Sequence, residues 1–323
     1  MNISVILCTF NRASSLSNAL DSVAKQTLPE SIEWEVIVVD NNSTDQTLEL
    51  TQKYCRKYPG RFRYLFEPQQ GLSRARNAGI RQARAEIVAF LDDDVTVGPT
   101  WLQNLTASLH DGEWAGAGGP IRPPQEFQAP YWLSLGGPKD LGGALALLDL
   151  GDVPGELRRA PYGTNMAFRR CMFEKYGFFR VDLGRCGKRL LSNEDTEFGK
   201  RLLAAGERLR YEASAVVYHP VFPERLNKKY FRAWWFNYGR ALILERGPRT
   251  AILGIPRPLI SISNRVLHFL SFHTLRWLFT PNHHHRFYNE CQIWMTIGEI
   301  AELFRQSFES NSVSKEIPSG SLR

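Results

Sequence analysis

Residues 88–99 read VAFLDDDVTVGP, and this stretch decides how the first half of the chain is interpreted. The apolar run from Val88 to Leu91 has the length and residue types of a buried strand. It ends at three successive carboxylates, Asp92, Asp93 and Asp94. Adjacent carboxylates repel one another unless positive charge lies among them. The stretch therefore predicts either a cation site at a strand end or a solvated acidic turn.

Strand and helix signals alternate along the first 120 residues. Short runs of β-branched and apolar residues indicate strands, and apolar residues spaced three or four apart indicate helices. The alternation predicts an α/β fold with a mostly parallel sheet flanked by helices. The predicted elements are the strand ISVIL, a helix capped by Ser14 or Ser15, the strand WEVIVVD, a helix from about Asp45 to Tyr58, the strand FRYLF, the helix GLSRARNAGIRQA and the strand EIVAFLD.

The pattern is less regular after this fourth strand. Residues 121–160 are rich in Pro and Gly, which predicts loops over the site. GTNMAFRR is typical of a strand, and SNEDTEFGKRLLAAG is typical of a helix capped by Ser192 or Asn193 and ended by Gly206. RYEASAVVYHP predicts one last strand.

Polar residues follow three of the predicted strands. Because the carboxyl ends of parallel strands meet at one edge of a sheet, where ligands bind in open α/β folds, all three groups can face one cleft. The groups are Thr9 with Asn11, then Asp40 with Asn41 and Asn42, then Asp92 to Asp94.

The acidic run suits a hard divalent cation, which prefers carboxylate oxygen and often shares it with phosphates. In an extended segment Asp92 and Asp94 share a face and Asp93 points away, unless the turn re-aims them. Such a cation would neutralise a diphosphate rather than activate a water. His219, after the last strand, is either a metal ligand, a phosphate contact or a structural histidine.

Two other positions allow a binding role and a structural one. Asp40 can accept a hydrogen bond from a base or ribose, or it can hold an Asx turn in DNNSTD. Gly71, Arg76 and Asn77 belong to a helix whose N-terminus suits anions, although Arg76 can equally form a surface ion pair.

A second acid pair, Glu194 and Asp195, lies in the first turn of its predicted helix. The helix dipole keeps a carboxylate ionised there, and an ionised carboxylate at a cleft can deprotonate a hydroxyl. The alternative is that both are ordinary N-terminal helix charges, which is the interpretation we give to Glu197.

Composition excludes several classes of protein. The five cysteines form no C-x-x-C pair and are odd in number, which argues against a disulfide framework or a zinc site. No signal peptide is expected, because the chain begins at once with a strand-like run, and no window is apolar enough for a membrane span. Of 323 residues 43% are hydrophobic, enough for one large domain or two smaller ones.

Taken together, these stretches resemble the family 2 glycosyltransferases with the GT-A fold, of the kind that builds bacterial polysaccharides. They occur in the family's order and span roughly residues 3–220. The matching stretches are SVILCTFNR, EVIVVDNNSTDQT, GLSRARNAGI, IVAFLDDDV, GTNMAFRR and SNEDTEFGKRL.

The resemblance implies a role for each group. Asp195 would be the catalytic base, with Glu194 orienting it or binding acceptor. Asp94 and Asp92 would hold Mg²⁺ or Mn²⁺ on the diphosphate, and His219 is the third metal ligand that its place after the last strand allows. Sugar would move from a nucleoside-diphosphate sugar, with UDP the favoured nucleotide, to a saccharide or lipid-linked acceptor with inversion. The implied donor-binding residues are Thr9, Asn11, Arg12, Asp40, Asn42, Gly71, Arg76, Asn77, Asp92 and Asp93.

The chain departs from the family pattern in two places. Cys8 stands where many members have proline, which does not affect the chemistry. In YGFFRVDLGR, Phe179 takes the place of the usual acid, and Asp182 is a shifted substitute. Acceptor contacts in this turn are therefore left open.

The chain after Pro220 lies outside the resemblance. Bases recur from Arg225 to Arg286 with only Glu245 opposing them, and aromatic residues lie among them. This composition favours peripheral contact with an anionic membrane; the alternative is that the aromatic residues pack helices onto the catalytic domain. We expect a catalytic domain over 1–222, with nucleotide-sugar and acceptor halves at 1–120 and 121–222, a helical extension over 223–310 and a flexible tail over 311–323.

These features predict a cytoplasmic protein, peripheral on the inner face of the membrane. A dinucleotide-dependent oxidoreductase is excluded because the turn after the first strand, CTFNRASS, lacks G-x-G-x-x-G. A nucleotidyltransferase is excluded because the same turn lacks a glycine-rich basic loop. An inactive scaffold or a membrane-associated binding protein is the alternative. Nucleic acid is not an expected partner; it would require strongly salt-dependent binding by the basic tail.

Overall fold

The computed structural model describes residues 1–110, 112–187, 191–247, 262–263 and 265–313. The chain divides into two units. The first comprises Met1–Gln128, Leu145–Leu190 and Glu194–Phe222, and the second comprises Ala129–Ala144, Leu191–Asn193 and Pro223–Arg323.

An eight-stranded sheet is the centre of the first unit. Its strand order is β3-β2-β1-β4-β9-β6-β10-β8. The first four strands pair in parallel, and β9 lies antiparallel between β4 and β6. The predicted mostly parallel α/β sheet is confirmed. The strands are β1 (Ile3–Thr9), β2 (Trp34–Asp40), β3 (Phe62–Phe66), β4 (Ile87–Asp92), β6 (Gly116–Gly118), β8 (Gly155–Leu157), β9 (Asn165–Arg169) and β10 (Leu209–Tyr211).

Helices cover both faces of this sheet. Each helix buries an apolar stripe against the sheet, as α1 does with Leu16, Ala19, Leu20 and Val23. Because both faces of the sheet are covered, β1, β2 and β4 are buried and consist mostly of apolar residues. The helices are α1 (Ala13–Ala24), α2 (Thr47–Lys57), α3 (Leu72–Gln82), α4 (Trp101–Ser108), α5 (Arg170–Tyr176) and α6 (Glu194–Ala204).

The predicted cap of α1 is wrong. The helix begins two residues earlier than a Ser14 cap allows, and Arg12 is its N-cap residue without a side-chain bond. The first-turn N–H of Ala13 instead donates to the carboxylate of Asp45, 32 residues away. A distant carboxylate thus satisfies the donor that a local serine was expected to satisfy.

The predicted last strand is two strands in two sheets. β10 belongs to the large sheet, whereas β11 (Val217–Tyr218) pairs with β5 (Thr96–Val97) and β7 (Ile121–Arg122) in a three-stranded sheet. Between them the N–H of Ala215 donates to the carbonyl of Glu212, which closes a turn. This turn redirects the chain so that His219, the residue after β11, lies beside the acidic run. Within the predicted loop region, a short 3₁₀ helix also forms at Gly142–Leu145.

Two helices that run in the same direction dominate the second unit. They are α7 (Lys228–Arg246) and the long helix His283–Val313. Their ion pairs follow the same order along both helices, because Arg232 pairs with Glu290 and Arg240, farther along α7, pairs with Glu302. The backbones approach closely at Gly239 and Gly298, where an added Cβ would overlap the carbonyls of Met295 and Phe236. A π-helix (Arg265–Leu270) and a helix at Ser271–Phe279 precede the long helix.

The long helix changes how the basic tract is understood. Glu290, Glu299 and Glu302 lie beyond the tract, and they form ion pairs with Arg232, Arg265 and Arg240. Three bases of the tract are therefore compensated within this unit. Residues 248–261 and 264 of the predicted membrane segment, and 314–323 of the predicted tail, lie outside the described residues. Among the helices that are described, none has the length and apolar composition needed to cross a bilayer.

Candidate functional site

The three acids after β4 divide into two groups. The strand ends at Asp92, and Asp93 and Asp94 lie in the following turn. Arg12 donates to both of these turn residues, at 3.0 Å to Asp93 Oδ1 and 2.7 Å to Asp94 Oδ2. The pairing of Asp92 with Asp94 on one face is therefore wrong, because the turn re-aims the side chains, as the second alternative allowed.

Asp93 is also the acceptor of Thr9, whose hydroxyl lies 2.7 Å from Oδ2. Burial raises the pKa of Asp93 to about 6, because the charge of Arg12 only partly offsets the loss of water. The negative charge of Asp94 raises this pKa further. Arg12 thus supplies the positive charge that the acidic run requires.

Asp92 belongs to a different set of contacts. Its Oδ2 accepts from the Thr164 hydroxyl at 2.7 Å, and its Oδ1 lies 3.5 Å from Arg76. Burial raises the pKa of Asp92, but Arg76 and the Thr164 hydrogen bond outweigh burial, so the pKa lies below its usual value. Asp92 is therefore held ionised, facing α3 and β9.

Asp94 and His219 could together hold a cation. Asp94 Oδ1 lies 3.7 Å from His219 Nε2, and both side chains are buried. One divalent ion can touch both atoms, because each bond is about 2.1 Å long. Within the described ranges, no three His, Cys, Asp or Glu side chains are grouped to hold a metal alone. These two side chains thus fit an ion whose coordination is completed by phosphate and water.

A cavity of about 460 Å³ opens beside Asp94. Ser15 and Asn18 of α1 line it. Its remaining lining residues are Thr96, Pro124, Gln125, Tyr218, Pro220 and Phe222. The cavity gives a ligand access to the carboxylate of Asp94.

Asp40 holds a turn, which was the structural alternative for this residue. Its Oδ1 accepts from the N–H of Ser43 at 2.8 Å, and its Oδ2 accepts from the Tyr64 hydroxyl at 2.9 Å. Asn11 extends the same arrangement, because its Oδ1 accepts from the N–H of Thr44. Asn11 and Asn42 both have positive φ, at 52° and 69°, a conformation that Asn tolerates better than most residues. The two loops are thereby fixed against each other at the carboxyl edge of the sheet.

Gly71 and Asn77 fix the position of α3. The N–H of Gly71, whose φ is 139°, donates to Asn41 Oδ1. The amide of Asn77 both donates to and accepts from the backbone of Phe179. Phe179 itself packs between Phe90 and Phe198, and Asp182 of the same turn is exposed and pairs with Arg180.

Arg76 is buried, so it is not the surface ion pair of the structural alternative. Its guanidinium lies 2.6 Å from Glu194 Oε1 as well as 3.5 Å from Asp92. Burial, with the charge of Asp195 beside it, raises the pKa of Glu194 to about 7 in spite of the Arg76 ion pair. Glu194 is therefore a group that can gain or lose a proton near neutral pH.

Asp195 lies next to this cluster and is partly exposed. Its Oδ2 accepts from the N–H of Gly163 at 2.5 Å, and its Oδ1 accepts from the N–H of Thr196 at 2.6 Å. The carboxylate is thus oriented by two backbone donors and remains within reach of a ligand.

Gly163 and Thr164 are the site residues that sequence reasoning missed. Both belong to GTNMAFRR, which was interpreted only as a strand. Gly163 positions Asp195, and a Cβ there would overlap the guanidinium of Arg76. Thr164 positions Asp92. The signal was the polar GTN immediately before an apolar strand, opposite the end of β4.

Comparison with known proteins places this arrangement in a family. The model of the family described as glycosyl transferase family 2 matches residues 4–177. The succinoglycan biosynthesis protein ExoM of Rhizobium meliloti is 29% identical over 248 residues, which is 75% of each chain. The glucosyl-dolichyl phosphate glucuronosyltransferase of Haloferax volcanii is 29% identical over 259 residues, 75% of this chain and 77% of its own.

A solved structure has the same fold. It is the mannosyltransferase PcManGT from Pyrobaculum calidifontis in complex with GDP-Man and Mn²⁺, with a TM-score of 0.62 and 19% identity over 94% of this chain and 87% of its own. At that identity the likeness concerns the fold, which is GT-A.

Proposed function

This chain belongs to glycosyl transferase family 2, and from that premise we propose that it moves a sugar from a nucleoside-diphosphate sugar to a hydroxyl of a saccharide or lipid-linked acceptor. The observation that carries the proposal is one continuous cluster in which Arg76 contacts Asp92 and Glu194, with Asp195 beside them. This cluster joins the end of β4, where the donor would bind, to the start of α6, where the acceptor would be activated.

Asp195 is the proposed base. The acceptor oxygen attacks the anomeric carbon as its proton passes to the Asp195 carboxylate. The bond from that carbon to the diphosphate oxygen breaks, and its electron pair leaves with the nucleoside diphosphate. Attack from the face opposite the leaving group inverts the anomeric centre. The bonds from Gly163 and Thr196 support this role because they fix the carboxylate without covering it.

Glu194 and Arg76 are proposed to maintain the electrostatics of the base. Arg76 carries one positive charge between Glu194 and Asp92 and offsets part of the negative charge beside Asp195. Glu194 can also take part in acceptor binding, since its raised pKa allows it to donate a hydrogen bond near neutral pH.

The leaving diphosphate is proposed to lie against Asp94 and His219. These residues would hold Mg²⁺ or Mn²⁺, with Asp92 the less direct ligand because it is already engaged by Thr164 and Arg76. A bound divalent ion supplies charge stabilisation to the departing diphosphate. The relative solved with Mn²⁺ supports this assignment. Arg12 donates to Asp94 Oδ2, which leaves Oδ1 beside His219 for the ion.

The nucleoside is proposed to lie over the loops after β1 and β2. Thr9, Asn11, Asp40 and Asn42 line or support that edge, and Gly71 and Asn77 fix the helix beside it. Uridine is the expectation from the resemblance, whereas the solved relative holds GDP-Man.

A nucleotide-sugar screen tests the activity. UDP- and GDP-sugars would be incubated with the chain and Mn²⁺ or Mg²⁺, and nucleoside diphosphate release and thermal stabilisation would be measured. Acceptors would then be sought among lipid-linked saccharides, the class named in the Haloferax relative. Thermal stabilisation by nucleotides without release or transfer would favour an inactive binding protein, and no response to any nucleotide would reject the proposal.

A further inference from the structure

The helix Ser271–Phe279 exposes large apolar side chains where a surface helix usually carries polar ones. Four apolar residues of this helix are largely exposed, and so is Phe269 in the preceding turn. The exposed fraction is 56% for Phe269, 49% for Phe272, 56% for Leu275, 53% for Leu278 and 79% for Phe279. We name these five residues the apolar face. Such a contiguous row on the surface marks a site of contact with a protein or a membrane.

The apolar face is one side of an amphipathic helix. Phe272, Leu275 and Phe279 are three and four residues apart, which places them on one side of the helix, with Leu278 at the border of that side. The other side contacts the long helix, where His273 Nδ1 lies 3.1 Å from Asn289 Oδ1 and Arg286 stacks over Trp277 at 5.2 Å. This side is therefore packed within the second unit, and the apolar face points outward.

Charge at the border of this face indicates the kind of partner. Between Glu245 and Glu290 the sequence contains no Asp or Glu. Arg276 stacks on Phe272 at 4.5 Å, which places a positive charge beside the apolar face. An anionic surface would meet no carboxylate in this segment, and the apolar side chains could enter the region below its headgroups.

We propose that Ser271–Phe279 is an interfacial anchor that lies in the plane of an anionic lipid bilayer, with the apolar face inserted and Arg276 and Arg286 at the headgroups. A second copy of the chain is a poorer occupant, because a symmetric pairing of two apolar faces brings Arg276 of each copy close together. Nine residues are too few to span a bilayer, so the contact is peripheral. This inference does not rest on the proposed activity.

Vesicle flotation tests the anchor. The full chain would be mixed with vesicles of phosphatidylcholine and anionic phosphatidylglycerol, or of phosphatidylcholine alone, and separated on a density gradient. We expect the chain to float with the anionic vesicles. Phe272→Ser, Leu275→Ser and Phe279→Ser combined should lower the partition coefficient at least about tenfold, since three inserted apolar side chains are lost.

A matched control has the same number of exposed apolar residues elsewhere. Leu150→Ser, Val153→Ser and Val181→Ser change side chains that are 50%, 80% and 52% exposed in the first unit, and this triple variant should float like the unchanged chain. Thermal unfolding of both variants checks that they are folded. Failure of the unchanged chain to float, or equal flotation of the two triple variants, overturns the proposal. A dimer in the absence of vesicles that only the helix variant dissociates would also overturn it, in favour of a second copy.

Discussion

Arg76 and Glu194 form a buried ion pair of 2.6 Å between residues 118 positions apart in the sequence. The pair fastens α3 to α6. The side chains are only 4% and 6% exposed, so neither charge has water to replace its partner. Removing one partner of such a pair is costly because the other charge is left buried. The position of Asp195, the next residue, therefore depends on Arg76.

Asp195→Asn should abolish transfer while donor-nucleotide binding is preserved. The amide cannot take a proton from the acceptor, and the loss of a general base costs at least about a hundredfold in rate. Transfer kinetics and calorimetric binding of nucleoside diphosphate measure the two effects. Glu197→Gln on the same helix is the matched control, because Glu197 pairs with Arg201. Transfer by Asp195→Asn at the unchanged rate would remove Asp195 as the base.

Asp94→Asn should weaken the metal-dependent part of nucleotide binding. The substitution removes the carboxylate that faces His219. We expect the factor by which Mn²⁺ strengthens nucleotide binding to fall at least about tenfold relative to the unchanged chain. Titration calorimetry with Mn²⁺ and with a chelator separates the two conditions. Asp152→Asn, at a side chain 88% exposed and paired with Arg122, should behave as the unchanged chain does. An equal effect of Mn²⁺ on Asp94→Asn would count against Asp94 as a ligand.

Glu194→Gln should change how stability depends on pH. The pKa of Glu194 is about 7 in the folded chain against 4.5 when unfolded. Because the folded chain keeps this proton to higher pH, its contribution to stability is fully present below about pH 4.5 and is lost as pH rises through about 7. Glutamine carries no such proton, so the free energy of unfolding of the variant should rise relative to that of the unchanged chain as pH increases through this window.

Urea unfolding across the pH range measures this difference, with chelator present throughout. Glu197→Gln, at a group less buried than Glu194, is again the control. A difference between Glu194→Gln and the unchanged chain that stays constant from pH 4.5 to 7 would show that Glu194 is not titrating there.

Gly298→Ala should destabilise the helix pair of the second unit. Its Cβ would overlap the carbonyl of Phe236 in α7, and the two backbones must separate to admit it. Overpacking of this kind costs about 1–3 kcal/mol. Hydrogen exchange of α7 and the long helix should accelerate accordingly. Gly155→Ala, where an added Cβ meets nothing within 4 Å, should change stability by less than about 0.5 kcal/mol. Equal protection in both variants would contradict the close approach.

Local patterns were sufficient for much of the first unit. The strands ISVIL, WEVIVVD, FRYLF and EIVAFLD and the helix GLSRARNAGIRQA form where the sequence predicts them, because each signal lies within one element. The polar residues that follow these strands do meet at one edge of the sheet, since parallel strands leave no other place for their carboxyl ends. The family, too, was identified from short ordered motifs.

Contacts between distant residues were decided only by the tertiary structure. Because of the turn after β4, Asp93 and Asp94 contact Arg12. Asp92 instead contacts Thr164 and Arg76. The turn at Glu212 sends one predicted strand into two sheets and so brings His219 to Asp94. No periodicity encodes these contacts, because each depends on which loop the fold places opposite.

The charge of the chain also depends partly on the sequence alone and partly on the tertiary structure. The sequence by itself determined that residues 225–286 are basic, because composition is local. Only the tertiary structure decided that Glu290, Glu299 and Glu302, from a helix farther along the chain, neutralise Arg232, Arg265 and Arg240. The sequence likewise contained every residue of the apolar face, but which side of that helix faces water is fixed by its packing on the long helix. Burial and pairing are properties of the folded chain, because they are set by neighbours that the linear order keeps apart.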